Sequence, residues 1–464
     1  MIAFVVAGTA SGVGKTTVAL ALMAAFRERG YVVQPFKCGP DFLDPGHHSA
    51  LCGRRARNLD TWMLDGQANR TIFESSRDAD VVIVEGMMGL YDGVSGGTEE
   101  GSTAEIAKLL NLPVVLVLDA ANSARSVAAV VKGFETFDAG LLFAGIVLNG
   151  VSSSDHCRML EAAIREVTTT PILGRIPRDP SLTIPERHLG LHTIEEQLPN
   201  GQHAARLAEI ARQHLDLNPL LATSSSGLEN SSAKNQTRVK PPLSGKPCVR
   251  IGVARDKAFS FYYEDNFDLL GECGAQCVFF STLADFHLPS NLDALYLGGG
   301  YPELYADTLS SNQRMFADIR SFARSGKPVY AECGGLVYLG RSLALLDGKV
   351  SPMCGVLPLE FEMTAHLVQF GYVDIEFVAD CLLGEKGTTL RGHSFHCSRL
   401  RSSPSNLPTV YQVRYSLSRH SEPEGFVHKN VLASYIHLLF RGNPEVAVSF
   451  VEAARRYQGA EVRV

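Results

Sequence analysis

The segment GTASGVGKTT, from Gly8 to Thr17, directly follows the apolar run IAFVVA. Glycine loses more backbone freedom on folding than any other residue, so three glycines in one short loop need a functional reason. A glycine-rich loop between a strand and a helix directs backbone N–H groups at a phosphate. The lysine neutralises the β- and γ-phosphates, and the hydroxyl that follows binds Mg²⁺. The sequence therefore predicts an ATP-binding loop formed by Gly12, Val13, Gly14, Lys15, Thr16 and Thr17.

Carboxylates that could hold the magnesium ion follow two predicted strands. Asp41 and Asp44 lie in GPDFLDP, just beyond the run YVVQPF, and Glu85 ends the run DVVIVE. Ligands of open α/β sheets bind at the carboxyl ends of the strands, where these residues would lie. The alternative for the two aspartates is a turn-forming role beside proline. For Glu85 the alternative is a strand end that faces water.

A cysteine in the second half of the chain has the setting of a nucleophile. Cys333 lies in PVYAECGGLVYLG, a pattern that predicts a strand, a sharp turn and a helix. The start of a helix lowers the pKa of a thiol and favours the thiolate. His437 in ASYIHLLF is a candidate base, and His393 and His396 in GHSFHCS are its rivals. The other nine cysteines fit the ordinary role of small buried side chains.

The segment DALYLGGGYPE is a second glycine-rich loop at the end of a predicted strand. Backbone N–H groups in such a loop can stabilise the oxyanion of a tetrahedral intermediate. We predict that Gly299 and Gly300, together with Gly334 beside the nucleophile, form this oxyanion hole.

The composition limits the classes of function. The chain has 464 residues, a net charge of −6, 45% hydrophobic residues and 20% charged residues, typical of a globular protein with a real core. The negative charge argues against nonspecific binding of nucleic acid. Ten cysteines without a CxxC pair favour reduced thiols in the cytoplasm. No signal peptide and no apolar run of membrane-spanning length is present, so we expect a cytoplasmic protein without a membrane partner.

Short β-branched runs alternate with helical spacing along the first half of the chain. The runs IAFVVAG, YVVQPF, DVVIVEG, PVVLVLDA and LLFAGIVLNG are typical of parallel strands buried on both faces. Residues 216–247 are rich in Ser, Asn, Lys and Pro and indicate a linker. Strand-like runs resume at Val249. We predict an α/β fold with a parallel-sheet P-loop domain over residues 1–215 and a second α/β domain over residues 248–464.

The motifs GTASGVGKTT, KCGPDFLDPGHH, GRRARNLD and VEGMMGLYDG, in this order, resemble the cobyrinate a,c-diamide synthase family. The likeness covers nearly the whole chain, and the ATP domain of that family is related to dethiobiotin synthetase. The resemblance implies that ATP activates a carboxylate of a tetrapyrrole as an acyl phosphate. The site residues that it implies are Thr16, Asp41 and Glu85 for Mg²⁺, Asp44 and His48 for the substrate, and Asn149 for adenine.

The acceptor of such an enzyme carries several carboxylates. Arginine binds a carboxylate through two parallel hydrogen bonds, and lysine does not. Arg54, Arg55 and Arg57 in the motif GRRARNLD are therefore candidate substrate ligands. A basic turn exposed to solvent is the alternative for these three residues.

The motifs LGGGYPE, AECGGL and SYIH resemble the glutaminase domain that is fused to cobyrinate and cobyric acid synthases. This likeness selects His437 over His393 and His396. It implies that Cys333 forms a thioester with the glutamine side chain while His437 transfers protons. Many triad amidotransferases carry Glu two residues after the histidine, and the diamide synthases often have His there, whereas this chain has Leu439. The sequence therefore predicts a Cys–His dyad and leaves a third member open.

Together the motifs predict a ligase that uses ATP, Mg²⁺ and glutamine to amidate the a and c carboxylates of cobyrinate or hydrogenobyrinate in cobalamin biosynthesis. The nearest alternatives are cobyric acid synthase and an enzyme that amidates nickel sirohydrochlorin. GPDFLDP followed by HH and GRRARNLD favours the diamide synthase. The alternative from a different class is a partitioning-type regulatory ATPase, but Ala10 replaces the lysine typical of that group. Whether two copies form a homodimer stays open.

Overall fold

The structure, a computed structural model, describes residues 1–179, 182, 186–187, 190–191, 202–222, 248–404, 406–418 and 420–458. The chain divides into an N-terminal unit, Met1–Lys234, and a C-terminal unit, Asn235–Val464. Most of the predicted linker, residues 223–247, lies outside the described residues. The predicted α/β fold of both halves is confirmed.

A parallel seven-stranded sheet forms the centre of the N-terminal unit, as the β-branched runs predicted. The strands are β1 (Ile2–Gly8), β2 (Val33–Cys38), β3 (Arg57–Leu59), β4 (Val81–Glu85), β5 (Val114–Asp119), β6 (Phe143–Val151) and β7 (Ile172–Pro177). Their order across the sheet is β3-β2-β4-β1-β5-β6-β7. A separate two-stranded sheet consists of β8 (Glu186–Arg187) and β9 (Gly190–Leu191).

Helices connect the parallel strands, because a parallel pair needs a crossover. The helices of this unit are α1 (Lys15–Glu28), α2 (Leu43–Cys52), α3 (Gly66–Glu74), α4 (Thr103–Leu109), α5 (Ser126–Phe137), α6 (Ser154–Arg165), α7 (Gln202–His214) and α8 (Asn218–Leu221). The side chains of Leu217 and Leu220 belong to the same core as α1 and the sheet. The packed N-terminal unit therefore extends beyond residue 215, into the segment that we predicted to be linker.

The C-terminal unit contains a ten-stranded mixed sheet and a smaller four-stranded sheet. The strands are β10 (Val249–Ala254), β11 (Ala275–Phe280), β12 (Ala294–Leu297), β13 (Val329–Glu332), β14 (Ser342–Ala344), β15 (Val350–Pro352), β16 (Glu360–Met363), β17 (Gln369–Phe377), β18 (Thr389–His396), β19 (Ser398–Ser402), β20 (Thr409–Tyr415), β21 (Ser421–His428), β22 (Val431–Ser434) and β23 (Ile436–Leu438). The large sheet has the order β11-β10-β12-β13-β22-β21-β20-β17-β18-β23, and the small sheet has the order β15-β14-β16-β19.

The helices of the C-terminal unit flank the parallel part of the large sheet or follow its strands. They are α9 (Glu264–Glu272), α10 (Ala306–Ser311), α11 (Gln313–Arg324), α12 (Gly334–Leu339) and α13 (Glu445–Gln458), with short 3₁₀ helices at Pro302–Tyr305 and Phe440–Gly442. Within the described parts of the chain, no helix is both long enough and apolar enough to cross a bilayer.

The course of the large sheet brings its last strand, β23, back to β13 and β22 in the middle of the strand order. β22 pairs with β13 in parallel, so that Ser434 lies beside Glu332. β23 lies at the far end of the strand order and pairs with β18. Only Tyr435 separates β22 from β23 in the chain. The antiparallel strands must therefore curl until β23 lies near β13, which carries the nucleophile turn at its end.

Candidate functional site

The glycine loop joins β1 to α1, and its backbone is left-handed at two positions. φ is 78° at Gly12 and 92° at Gly14, a region that residues with a side chain rarely adopt. A Cβ atom on Gly14 would lie 2.1 Å from Nδ2 of Asn149. That amide donates a hydrogen bond to the carbonyl of Val13 at 2.9 Å. Asn149, near the end of β6, therefore holds the predicted ATP loop in place.

Lys15 and Thr16 form the first turn of α1. Nζ of Lys15 donates to the carbonyl of Ala10 at 3.0 Å, which closes the loop on itself. Burial lowers the pKa of Lys15 to about 8, and the charge of Lys37 acts in the same direction. Oγ1 of Thr16 donates to Oε1 of Glu85 at 2.7 Å. The structure thus places the predicted phosphate-binding lysine and two of the predicted metal ligands together.

Lys37, which we did not predict, lies among the predicted carboxylates. Its Nζ is 2.5 Å from Oδ2 of Asp44, 2.9 Å from Oε1 of Glu85 and 3.7 Å from Oδ2 of Asp41. Lys37 stands beside Glu85 in the parallel register of β2 and β4. Burial alone would lower the pKa of this lysine, but the three carboxylates outweigh burial and hold it well above its usual value. The signal in the sequence that could have identified Lys37 was a lysine at the end of a buried strand, directly before CGPD.

The two buried carboxylates of this cluster, Asp44 and Glu85, differ in their affinity for a proton. Burial and the negative charges of Asp41 and Glu85 raise the pKa of Asp44 well above its usual range. Burial would also raise the pKa of Glu85, but Lys37 and His48 outweigh it and hold this pKa well below normal. Nε2 of His48 lies 2.7 Å from Oε2 of Glu85, and both side chains are fully buried. Glu85 therefore remains ionised beside Thr16, as a metal ligand must.

Asp41 has a mainly structural set of contacts. Its Oδ1 accepts hydrogen bonds from the N–H groups of Leu43 and Asp44 at 2.8 and 3.1 Å, at the start of α2. In the parts of the chain that the structure describes, no three His, Cys, Asp or Glu side chains are arranged to hold a metal ion. The adjacent oxygens of Thr16 and Glu85 suit a Mg²⁺ ion that takes its other ligands from nucleotide phosphates and water. Asp41 contacts this pair through Lys37.

The predicted substrate arginines have different surroundings. Arg54 forms two hydrogen bonds to the carboxylate of Asp78 at 2.9 and 2.7 Å, and its Nε donates to Gln34 at 2.9 Å. Arg54 is therefore paired with the exposed carboxylate of Asp78, and its predicted role as a substrate ligand stays a prediction. The carbonyl of Arg55 accepts a hydrogen bond from Gln34, and Arg57 opens β3. For these two residues substrate binding stays a prediction.

Cys333 lies on a sharp turn between β13 and α12, as the sequence predicted. Its φ of 48° and ψ of −104° are unusual for a residue with a side chain, and such strain is typical of functional turns. Its N–H donates to the carbonyl of Ser434 at 2.7 Å, which ties the turn to β22. Sγ lies 3.7 Å from the carbonyl oxygen of Phe395.

The structure brings His437, rather than either rival histidine, to the thiol. The His437 side chain is hydrogen-bonded to Cys333 and is almost completely buried. Burial would lower its pKa, but Cys333 and Glu332 outweigh this effect and raise the pKa of His437 to about 9. His393 stacks on His437 with ring centroids 4.8 Å apart. His396 stacks on the ring of Tyr435 instead.

Among the predicted oxyanion glycines, Gly334 lies close to Gly300, and Gly299 lies close to His437. A Cβ atom on Gly334 would lie 3.0 Å from the backbone N of Gly300, and one on Gly299 would lie 2.4 Å from Cε1 of His437. The N–H of Gly299, however, donates to the carbonyl of Phe261 at 3.3 Å. The N–H of Gly299 therefore has a partner within the protein, and the oxyanion role of Gly300 and Gly334 stays a prediction.

Glu332 is a second residue that we did not predict. It directly precedes Cys333, and its Oε2 lies 3.6 Å from Nδ1 of His437. A carboxylate at the end of an otherwise apolar strand, next to the nucleophile in AECGG, was the signal available in the sequence.

The fold and the two sites define an ATP-using, glutamine-dependent ligase that forms amides. Residues 4–191 match the family described as the CobQ/CobB/MinD/ParA nucleotide binding domain, and residues 250–445 match the CobB/CobQ-like glutamine amidotransferase domain. Similar proteins include the cobyrinate a,c-diamide synthases of Leptospira interrogans, Syntrophotalea carbinolica and Salmonella typhimurium. Their sequences are 41%, 42% and 39% identical to this chain, over 97–98% of its length and 98% of their own. The chain belongs to the cobyrinate a,c-diamide synthase family.

Proposed function

We propose that this chain converts the a and c carboxylates of cobyrinate, or of hydrogenobyrinate, into amides. The observation that carries the proposal is the presence of two complementary sites in one chain. A phosphate loop lies beside the Thr16–Glu85 pair, and a separate turn places Cys333 beside His437. The full-length relatives are named for this reaction, which favours it over cobyric acid synthesis and over amidation of nickel sirohydrochlorin.

The N-terminal unit activates the acceptor. A carboxylate oxygen of the substrate attacks the γ-phosphorus of ATP, the bond to ADP breaks, and an acyl phosphate forms. Loop N–H groups and the ammonium of Lys15 stabilise the charge on the phosphates. Mg²⁺, held by Thr16 and Glu85, would neutralise further phosphate charge. Ammonia then attacks the acyl carbon, inorganic phosphate leaves with the C–O bond electrons, and the nitrogen passes one proton to the departing phosphate.

The C-terminal unit supplies the ammonia. The thiolate of Cys333 attacks the side-chain amide carbon of glutamine, and the N–H groups of Gly300 and Gly334 stabilise the resulting oxyanion. Protonated His437 gives its proton to the departing nitrogen, so that ammonia leaves and a thioester remains. Neutral His437 then takes a proton from the water that hydrolyses the thioester to glutamate.

The division of labour is tested with Cys333→Ala and Lys15→Ala, assayed with ATP and cobyrinate and with glutamine or ammonium as the nitrogen source. We expect Cys333→Ala to lose amidation with glutamine and to keep it with ammonium. Lys15→Ala should lose amidation with both sources, because the loop serves the step that both share. Mass spectrometry of the products should show two successive conversions of carboxyl to amide groups.

Two results would contradict the proposal. Glutamine-dependent amidation that survives in Cys333→Ala would remove the ammonia-supplying role of this turn. Efficient amidation of nickel sirohydrochlorin, with none of cobyrinate, would move the substrate assignment to the other enzyme. In both experiments wild-type protein with each tetrapyrrole is the reference.

A further inference from the structure

The surroundings of Glu332 place a buried carboxylate behind the catalytic histidine. Oε2 of Glu332 lies 3.6 Å from Nδ1 of His437, and both side chains are almost completely buried. Glu332 ends β13, and His437 lies in β23, which follows the neighbouring strand β22 after a single residue. The carboxylate also raises the pKa of the histidine.

Three donors hold this carboxylate in one orientation. The hydroxyl of Tyr330 donates to Oε1 at 2.6 Å, and the N–H of Leu438 donates to the same atom at 3.2 Å. The hydroxyl of Tyr296 donates to Oε2 at 3.1 Å. Burying a carboxylate is costly unless it is hydrogen-bonded and faces a positive group. Oε2 is the oxygen that faces the imidazole, so these hydrogen bonds satisfy the buried carboxylate and also direct it at His437.

We propose that Glu332 is the positioning residue that completes the Cys333–His437 pair, in an inference that rests on the roles proposed above for these two residues. A carboxylate at Nδ1 keeps the proton on that nitrogen, presents Nε2 to the thiol and stabilises the imidazolium. Leu439, two residues beyond His437, is uncharged and cannot play this part. In this chain the carboxylate that orients His437 comes instead from Glu332, at the end of the strand that leads to the nucleophile.

The proposal is tested with Glu332→Gln, which keeps the size of the side chain and removes its charge. We expect the kcat of glutamine hydrolysis to fall about a hundredfold or more. Because the imidazolium loses its partner, the pKa of His437 should fall from its value of about 9. Alkylation of Cys333 by iodoacetamide, followed by mass spectrometry of the peptide, should slow more at about pH 7 than at about pH 10.

Two tyrosine variants separate a charge effect from a packing effect. Tyr330→Phe removes a donor to Oε1, the oxygen that faces away from His437, and should leave the alkylation profile almost unchanged. Tyr296→Phe removes the donor to Oε2, so that oxygen becomes a stronger acceptor for the imidazolium. The pKa of His437 should then rise, opposite in sign to the effect of Glu332→Gln. Damage to packing alone would not shift the pKa of His437 in opposite directions in the two variants. The Tyr296 variant also tests the proposal if Glu332→Gln does not fold.

Amidation with ammonium is the control, and it should be unchanged in all three variants because it bypasses the glutaminase. If Cys333→Ala is inactive with glutamine while Glu332→Gln keeps wild-type kcat and alkylation, the role of Glu332 is wrong and the proposed function stands. If Cys333→Ala still hydrolyses glutamine, the proposed function itself fails. Loss of kcat in Glu332→Gln with an unshifted alkylation profile would also overturn the positioning role.

Discussion

Replacing Lys37 with Met should destabilise the N-terminal unit strongly at neutral pH. Lys37 is the cation that neutralises the buried carboxylates of Asp44 and Glu85. Its Nζ lies 2.5 Å from Oδ2 of Asp44 and 2.9 Å from Oε1 of Glu85. Methionine has a similar length, fills much of the same space and leaves the carboxylates without their partner. The change therefore tests the charge of this residue more than its volume.

The magnitude follows from these distances. At an effective dielectric constant of about 20, each of the two short ion pairs has a gross attraction of about 6 kcal/mol. The desolvation of the lysine, which the variant avoids, offsets much of this gain. Removing one partner from a buried ion pair costs about 3–5 kcal/mol, because an uncompensated charge remains. We expect a loss of that size in the free energy of unfolding of this unit.

The loss should depend on pH in a defined direction. Without Lys37, Glu85 loses the main positive charge that holds its pKa down, and the pKa of Asp44 rises further. In the unfolded chain both groups titrate near pH 4, at about their ordinary values. The folded variant therefore binds protons that the unfolded chain has lost, so its deficit shrinks as the pH falls through the raised pKa values. Lys37 of the wild-type protein stays protonated throughout, because its pKa is raised.

Trp62 gives a direct assay, because it is the single tryptophan of the chain and lies in the N-terminal unit. Urea unfolding followed by its fluorescence, at about pH 5 and about pH 8, measures the deficit at both values. Lys108→Met is the matched control. Lys108 also bridges two carboxylates, Glu99 and Asp138, but its side chain is 30% exposed. Its loss should cost at most about 1 kcal/mol. The reasoning would be refuted if both variants lost the same free energy of unfolding, or if the loss in Lys37→Met did not change with pH.

Two further predictions concern the ATP loop. The pKa of Lys15 is lowered to about 8, and contact with phosphate should raise it, so ATP binding should take up protons above that pH and weaken as the pH rises. Calorimetry in two buffers of different ionisation enthalpy measures this proton uptake. If no uptake is found, Lys15 is already charged or does not contact phosphate. Gly14→Ala should weaken ATP binding and destabilise the unit more than Gly12→Ala, because both have positive φ but only Gly14 has no room for a Cβ beside Asn149. The backbone term shared by both is about 1–2 kcal/mol, so equal losses would exclude the Asn149 contact as a constraint.

The sequence by itself determined the features that are encoded locally. The strand, glycine turn and helix around Lys15 are contiguous, and so are the strand, turn and helix around Cys333. Short β-branched runs were sufficient to predict a parallel sheet, because such strands are buried on both faces whichever neighbours they take. The resemblance of several motifs in order then indicated the family.

Only the tertiary structure decided which distant groups meet. Lys37 and Glu85 are 48 positions apart, and they meet because β2 and β4 are neighbours in a particular register. Arg54 donates a hydrogen bond to Asp78, a pairing that the local sequence does not predict. Glu332 reaches His437 because β22 pairs with β13 and β23 follows β22 after a single residue. Strand order and register arise from the packing of the whole core, so they fix the partners and the pKa values of buried charges, which the local sequence leaves undetermined.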